Sequence, residues 1–200
     1  MKVICIGRNY SEHAKELNNP VPDEPVFFLK PDTAVLKDNA AFYHPDFSND
    51  IHHEVELVLR VSKAGKHISE EFALNYIDAI TVGIDFTARD VQQKCKEKGL
   101  PWEKAKAFDG SAPIGSFVSF NADKEYIFSV DVNGETRQTG NSSDMLFSFR
   151  QIMAYVSQFV TLKTGDLIFT GTPAGVSRIA IGDRIVAKIE AQTLLDFEVK

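Results

Sequence analysis

The segment that most limits the fold is residues 51–61, Ile-His-His-Glu-Val-Glu-Leu-Val-Leu-Arg-Val, which alternates with the period of a β-strand. One face is mainly apolar, and the other carries Glu54 and Glu56. A strand with an apolar face has to cover that face with a second layer of structure. A further apolar run over residues 80–84 ends in Asp85 and predicts a buried strand with a carboxylate at its end. The two runs favour a fold built around a sheet.

The N-terminal part of the chain predicts a strand, a short helix and an extended stretch. Residues 2–6 form an apolar run typical of a buried strand. Asn9 and Glu12 have the spacing of a capping box, which predicts a helix through about Leu17. Four prolines between residues 18 and 31 exclude a helix there. This stretch is long for a passive connection, so we expect residues 8–31 to act as a mobile lid.

The rest of the chain mixes helix and strand signals. Ser69 and Thr87 have the character of helix caps, and Gly99 is expected to end the second of these helices. Asn133-Gly134 predicts a tight hairpin. A further helix is predicted over residues 143–159, and strands over 166–170, 183–190 and 194–199. Together the patterns predict one α+β domain, dominated by sheet, over residues 1–200.

Composition narrows the class of function. The chain has 200 residues, of which 44% are hydrophobic, and a net charge of −6, which gives no global attraction to nucleic acid or to anionic membranes. Cys5 and Cys95 show no metal or redox spacing and indicate a reducing compartment. Because no apolar stretch reaches 18 residues, we expect a cytoplasmic protein.

The carboxylates permit two interpretations. Glu54 and Glu56 lie two apart on one strand and repel each other unless a cation binds them, and Asp85 would complete a set of oxygen ligands suited to Mg²⁺ or Mn²⁺. Alternatively, the two glutamates lie on a solvated face. Spacing does not decide between these. Zinc is disfavoured, because the adjacent His52 and His53 point to opposite faces and no further histidine stands at ligand spacing; a structural role suits them better.

Other polar residues have an ordinary interpretation beside a chemical one. His13 and Glu16 are neighbours at i and i+3 of the predicted helix, either a surface pair or a carboxylate that orients a general base. Lys106 follows a charged turn, where lysines are usually solvated. Phe27 and Phe28 are expected in the core, and Cys95 is expected to serve packing alone.

Several blocks, in this order and spacing, make the sequence similar to the fumarylacetoacetate hydrolase family, and within it to the short acylpyruvase and oxaloacetate-acting members. These blocks are Gly7-Arg8-Asn9-Tyr10, Phe28-Leu29-Lys30-Pro31, His53-Glu54-Val55-Glu56-Leu57, residues 85–92, residues 98–102, Ala105-Lys106, residues 132–135 and residues 170–176. Ala107 and Ser177-Arg178 depart from the common pattern, which affects the expected substrate choice rather than metal binding.

The resemblance implies a rolled, mixed β-sheet with a few flanking helices and a homodimer. It implies that Mg²⁺ or Mn²⁺ is held by Glu54, Glu56 and Asp85, and that His13, Glu16 and Lys106 are catalytic. It also implies that the substrate is bound by Arg89, Gln92 and Thr172.

Three functions remain open from the sequence. The first is a hydrolase or lyase that cleaves small 2-oxo acids, such as acylpyruvates, fumarylpyruvate or oxaloacetate, through a metal-stabilised enolate. The second is an isomerase or tautomerase for the same substrates, and the third is a non-catalytic metal-binding domain. The presence of His13, Glu16 and Lys106 argues against the third, because a binding module needs no residues for proton transfer.

Overall fold

The computed structural model describes residues 1–16 and 20–200. Within these residues, fifteen strands form four sheets and helices are few, which confirms the sheet-dominated α+β class. The strands are β1 (Val3–Gly7), β2 (Val26–Lys30), β3 (Val35–Leu36), β4 (Ile51–His53), β5 (Val55–Val61), β6 (Ile77–Ile84), β7 (Thr87–Ala88), β8 (Ala112–Pro113), β9 (Val118–Ser119), β10 (Ile127–Val132), β11 (Glu135–Asn141), β12 (Leu167–Phe169), β13 (Ser177–Arg178), β14 (Arg184–Ile189) and β15 (Gln192–Glu198).

The helices are short and lie outside the sheets. They are α1 (Ser11–Glu16), α2 (Arg89–Lys98), α3 (Glu103–Lys106) and α4 (Phe149–Phe159), with 3-10 turns at Asp32–Ala34, Glu70–Tyr76 and Ser142–Asp144. In the part of the chain that the structure describes, no helix is both long and apolar enough to span a bilayer.

The central sheet is mixed and has six strands in the order β2-β1-β12-β5-β6-β9. Its strand β1 pairs parallel with β12 and antiparallel with β2. The second sheet is antiparallel, with two hairpins side by side in the order β11-β10-β14-β15. The smaller sheets are β13-β4-β7 and β3-β8.

The central sheet is covered on both faces. Leu57 and Leu59 belong to the main core, shared with the second sheet and α4, while Val58, between them, packs with Val3 and Phe169 in a smaller cluster beside β3 and β8. Because adjacent side chains point to opposite faces, β5 is buried almost throughout. The face that carries Glu56 is therefore covered, and the alternative of a solvated face is wrong.

Several element boundaries differ from the sequence prediction for identifiable reasons. The run 51–61 is two strands in different sheets, interrupted at Glu54. The expected helix over 143–159 begins only at Phe149, where Ser148 forms a capping box with Gln151. The segment after Ser69 is a 3-10 helix without a side-chain cap.

Two predicted caps are wrong. Asn9 does not cap α1: its side chain donates to the Phe147 and Thr170 carbonyls and accepts from the Phe147 amide, so distant segments use all its hydrogen-bonding groups. The residue before α2 is Ala88, not Thr87, and it has no side-chain cap. The predicted end of α1 at about Leu17 lies outside the described residues.

Other local predictions are confirmed. Asn133 and Gly134 adopt φ of 55° and 82° in the turn between β10 and β11, as a tight hairpin requires. Gly99 ends α2 in the left-handed conformation, with φ of 61°.

Candidate active site

Three carboxylates meet where β5 and β6 run together. Glu54 lies at the break before β5, Glu56 lies within β5, and Asp85 directly follows β6. The Asp85 amide donates to the Glu54 carbonyl at 2.8 Å, which holds these two residues side by side. One oxygen from each carboxylate lies within 4.8 Å of the others. The residues are only 5%, 2% and 1% exposed, in sequence order.

Close backbone approaches fix Glu56 in this cluster. It stands opposite Gly83 on β6, where a Cβ atom would lie 2.7 Å from the Phe169 ring. Its Oε2 accepts a hydrogen bond from the Gly171 amide at 2.6 Å. Gly171 has a φ of +100°, and a Cβ there would lie 2.6 Å from the Asn9 Cβ. Glycine is therefore required at both positions.

Two cations expected from the sequence contact the carboxylates. Lys106, at the end of α3, donates to Glu54 at 2.8 Å and to Asp85 at 2.6 Å, and its side chain is only 4% exposed. Burial therefore excludes the alternative of a solvated turn lysine. Arg89, the first residue of α2, donates to Glu54 at 2.5 Å and to Gln92 at 2.9 Å. Arg89 and Gln92 are thus a linked pair that faces the cluster, not a surface pair.

A third cation, Lys30, was missed. It lies at the end of β2 with a fully buried side chain, and its ammonium forms an ion pair with Asp85 Oδ1 at 2.8 Å, although the two groups are not aligned as a hydrogen bond. It also donates to the Ser111 hydroxyl and carbonyl and to the Lys106 carbonyl. The sequence did contain one signal for its burial, because Lys30 stands at the end of the apolar run Val26-Phe27-Phe28-Leu29.

The electrostatics of the two glutamates differ. Burial would raise the pKa of Glu54, but Lys106 and Arg89 outweigh it and hold that pKa well below its usual value. Burial, Asp85 and Glu54 together raise the pKa of Glu56 well above its usual value. For Lys106, burial would lower the pKa, but Asp85 and Glu54 outweigh it and raise it.

The cluster fits a hard divalent cation. All three carboxylates offer oxygen donors, which Mg²⁺ and Mn²⁺ prefer. Among the described residues, no lysine or arginine pairs with Glu56, whose only hydrogen bond comes from a backbone amide. A cation between the three carboxylates would remove the repulsion that raises its pKa.

His13 and Glu16 meet beside this cluster. His13 Nδ1 lies 3.2 Å from Glu16 Oε2, and His13 is buried although it belongs to a short surface helix. The Gly175 amide donates to the Glu16 carboxylate at 3.2 Å. The contact fixes the imidazole by its Nδ1 atom and leaves Nε2 for another partner. The Glu16 side chain is 34% exposed, but that of His13 is only 7% exposed, so the two are not the fully exposed surface pair that spacing also permitted.

One cleft, open to solvent, joins these groups. The sequence-predicted site residues that line it are His13, Glu54, Glu56, Asp85, Arg89, Gln92, Lys106 and Thr172; Glu16 stands behind His13. Phe28, expected in the core, lines the cleft with Trp102, its ring edge-on to the indole and 5.3 Å from the Lys106 ammonium. Arg8 and Lys96 also line it and were not predicted.

His53 supports the site without entering the carboxylate cluster. Its Nδ1 lies 2.9 Å from Gln138 Oε1, and its Nε2 lies 2.7 Å from the Ser177 hydroxyl. Gln138 also donates to Thr172 Oγ1 at 2.8 Å, so His53 is connected to a residue of the cleft. His52 lies 2.9 Å from Asp50 instead. Both histidines have the structural environment expected for them.

Comparison with known proteins gives consistent matches over the whole chain. The model of the family "Fumarylacetoacetate (FAA) hydrolase C-terminal" matches residues 2–200. "Oxaloacetate tautomerase FAHD1, mitochondrial" of Mus musculus is 44% identical, covering 99% of this chain and 91% of the relative. "Oxaloacetate tautomerase YcgM" of Escherichia coli K12 is 41% identical, covering 96% and 90%. The crystal structure of fumarylpyruvate hydrolase from Pseudomonas aeruginosa, in complex with Mn²⁺ and pyruvate, has a TM-score of 0.93 and 37% identity, covering 100% of this chain and 89% of that one.

Proposed function

The chain belongs to the fumarylacetoacetate hydrolase family, and from this premise we propose that it is a metal-dependent enzyme that cleaves small 2-oxo acids such as acylpyruvates, fumarylpyruvate or oxaloacetate. One observation carries the proposal: three buried carboxylates, a buried lysine and a His–Glu pair converge on a single cleft. A binding module would need the carboxylates alone.

In this proposal, Glu54, Glu56 and Asp85 hold Mg²⁺ or Mn²⁺. The bound cation would polarise the 2-oxo group and stabilise negative charge as the bond between C3 and C4 breaks. Support for the cation comes from the oxygen donor set and from the related Pseudomonas aeruginosa enzyme, whose complex contains Mn²⁺.

The protein's own residues would divide the remaining work. Lys106 adds positive charge where negative charge develops on the substrate, and Arg89, Gln92 and Thr172 orient the substrate carboxylate. His13 Nε2 accepts a proton from the attacking water, while Glu16 holds the ring through Nδ1. Water thereby attacks the distal carbonyl of an acylpyruvate, the C3–C4 bond breaks, and the proton taken up by His13 passes to C3, so that pyruvate and a carboxylic acid are released.

A second candidate is keto–enol tautomerisation of oxaloacetate. The names of the mouse and Escherichia coli relatives favour it. The same residues would serve, with His13 moving a proton at C3 of the substrate instead of activating water.

We also propose that the chain folds as one catalytic domain over residues 1–200 and forms a homodimer. The lid predicted over residues 8–31 includes residues 17–19, which lie outside the described part of the chain, while residues 26–30 form β2 and pair with β1. Lid movement therefore stays a proposal for the part of residues 8–31 that precedes β2, and this part carries His13 and Glu16. Sedimentation at twice the 22.3 kDa chain mass would support the dimer.

The cytoplasm remains our proposed location. Both cysteines are free and buried in the structure, which suits a reducing compartment. Fractionation of the source cells with antibody detection would test this.

In the deciding experiment, the purified protein is assayed in the presence of Mg²⁺ or Mn²⁺ with one substrate at a time: oxaloacetate, acetylpyruvate or fumarylpyruvate. Pyruvate is followed by a coupled assay and the enol by its ultraviolet absorbance. Pyruvate formation that chelation abolishes would support cleavage, whereas accelerated enol equilibration without pyruvate would favour tautomerisation. If neither signal changes with any substrate, the proposed function is wrong.

A further inference from the structure

The outer part of the cleft carries positive charge that the carboxylate cluster does not use. Arg8 and Lys96 line the cleft with Arg89. Arg89 is paired with Glu54, but neither Arg8 nor Lys96 forms an ion pair or a side-chain hydrogen bond with any residue in 1–16 or 20–200. Most cations without an acidic partner are exposed, whereas Arg8 and Lys96 are half-buried in one cleft, so their positive charge is directed at whatever enters it.

Lys96 is held in a place that disfavours its charge. It is half-buried on α2, with its ammonium 5.7 Å from the centre of the Trp102 ring. Burial, Arg89 and Arg8 lower the pKa of Lys96. A lysine that merely packed on the indole could extend into solvent and avoid both cations. An anion between Lys96 and Arg8 would relieve this repulsion.

Arg8 has an unusual backbone conformation. Its φ is 59°, in the left-handed region that non-glycine residues rarely adopt. The conformation is imposed between β1, which ends at Gly7, and Asn9, whose side chain makes three hydrogen bonds to distant backbone groups. Strain of this kind is concentrated at functional sites, where the surrounding structure maintains it.

We propose that Arg8 and Lys96 form a second anion subsite, which binds the distal carboxylate of a dicarboxylic 2-oxo acid. The inference rests on the proposed function, in which the carboxylate next to the 2-oxo group is bound at the inner end of the cleft. The two outer cations then select substrates with a second carboxylate, such as fumarylpyruvate or oxaloacetate, over acetylpyruvate, which has only one.

A charge-assisted hydrogen bond to a carboxylate that enters a partly buried site typically changes affinity by about 10- to 100-fold. Lys96→Gln should therefore lower the ratio of kcat/KM for fumarylpyruvate to kcat/KM for acetylpyruvate by about that factor. Lys96→Arg keeps the charge and should restore most of the ratio. The matched control is Lys94→Gln, which removes the same charge from an exposed position of the same helix and should leave the ratio as it is in the unchanged protein.

A binding measurement makes the test independent of turnover. Trp102 is the only tryptophan of the chain, so its fluorescence reports directly on the surroundings of Lys96. The probes are 2-oxoglutarate and 2-oxopentanoate, which have the same chain length but differ in the terminal carboxylate. The protein should bind 2-oxoglutarate at least about 10-fold more tightly than 2-oxopentanoate. The ratio of the two affinities should fall towards one in Lys96→Gln and in Arg8→Gln, with folding verified by thermal unfolding.

The outcomes separate this inference from the proposed function. If both variants lose the preference for 2-oxoglutarate but the unchanged protein turns over no 2-oxo acid, the subsite is upheld and the proposed function is refuted. Turnover with equal affinity for the two probes would refute the subsite alone. A preference that persists in both variants, or is lost equally in Lys94→Gln, would also refute it.

Discussion

Replacing Lys30 with methionine should destabilise the protein strongly, although Lys30 is not among the residues that line the cleft. The side chain is fully buried, and its ammonium pairs with Asp85 and donates to the Ser111 hydroxyl at 2.9 Å, the Ser111 carbonyl at 3.0 Å and the Lys106 carbonyl. Methionine preserves most of the volume but none of these contacts.

The magnitude follows from the groups left behind. Removing one partner of a buried ion pair typically costs about 3–5 kcal/mol, because the other charge stays buried. Asp85 would still be paired with Lys106 at 2.6 Å, so we expect a value near the lower limit, about 3 kcal/mol. For a chain of this size each kcal/mol lowers Tm by about 2–4 °C, which predicts a fall of roughly 6–12 °C.

The assay is thermal unfolding at pH 7 followed by circular dichroism, with chelator present so that metal binding does not contribute. Lys163→Met is the matched control, since it makes the same substitution at an exposed position and should change stability by about 0.5 kcal/mol or less. A fall for Lys30→Met no larger than that of the control would refute the idea that Lys30 neutralises the buried cluster.

Three further predictions concern metal, proton transfer and pH. Mn²⁺ should raise the Tm of the unchanged protein but not of Glu56→Gln; an equal rise in both would exclude Glu56 as a ligand. His13→Ala should lower kcat for acylpyruvates by about 10²- to 10⁴-fold, while Mn²⁺ should still raise its Tm. Oxaloacetate decarboxylation needs no attacking water, so an equal loss of kcat on that substrate would indicate that His13 has a positioning role. Burial opposes ionisation of Asp166, but hydrogen bonds from Lys2 and Lys163 outweigh it and lower its pKa below 3.8. Asp166→Asn should therefore cost about 1–3 kcal/mol at pH 7. The difference should begin to shrink as pH falls below about 4, where the unfolded carboxylate is protonated, and should be lost once pH passes the lower pKa of the native carboxylate; a difference independent of pH would contradict this.

Sequence reasoning succeeded where short-range rules decide the structure. The hairpin at Asn133-Gly134 depends on two backbone conformations that glycine and asparagine tolerate. Gly99 ends a helix for the same reason. Strand periodicity singled out the carboxylates after β6 and along β5 but left their role open, and the family resemblance supplied it. The break at Glu54 was missed, since it depends on β4 joining a different sheet.

The failures share a long-range cause. Asn9 would be a sound helix cap in isolation, but its amide is used by Phe147 and Thr170, which are 138 and 161 residues away. Lys30 was missed because the apolar run before it indicated burial but could not reveal its partner Asp85, which follows another strand of the central sheet, far along the chain. Lys106, which contacts the same carboxylate, was identified only through the family resemblance.

The parallel pairing of β1 with β12 has a consequence for how the protein is made. Val3 finds its partner Leu167 only after most of the chain has left the ribosome, which at about 5–20 residues per second takes roughly 10–30 seconds. Until then β1 and β5 expose unpaired backbone edges on either side of a missing strand, the kind of surface on which nascent chains aggregate. The carboxylate cluster forms late for the same reason, because Gly171, whose amide binds Glu56, stands two residues after the strand that closes the sheet. Slower synthesis at reduced temperature, or a chaperone that shields strand edges, should therefore raise the yield of soluble protein.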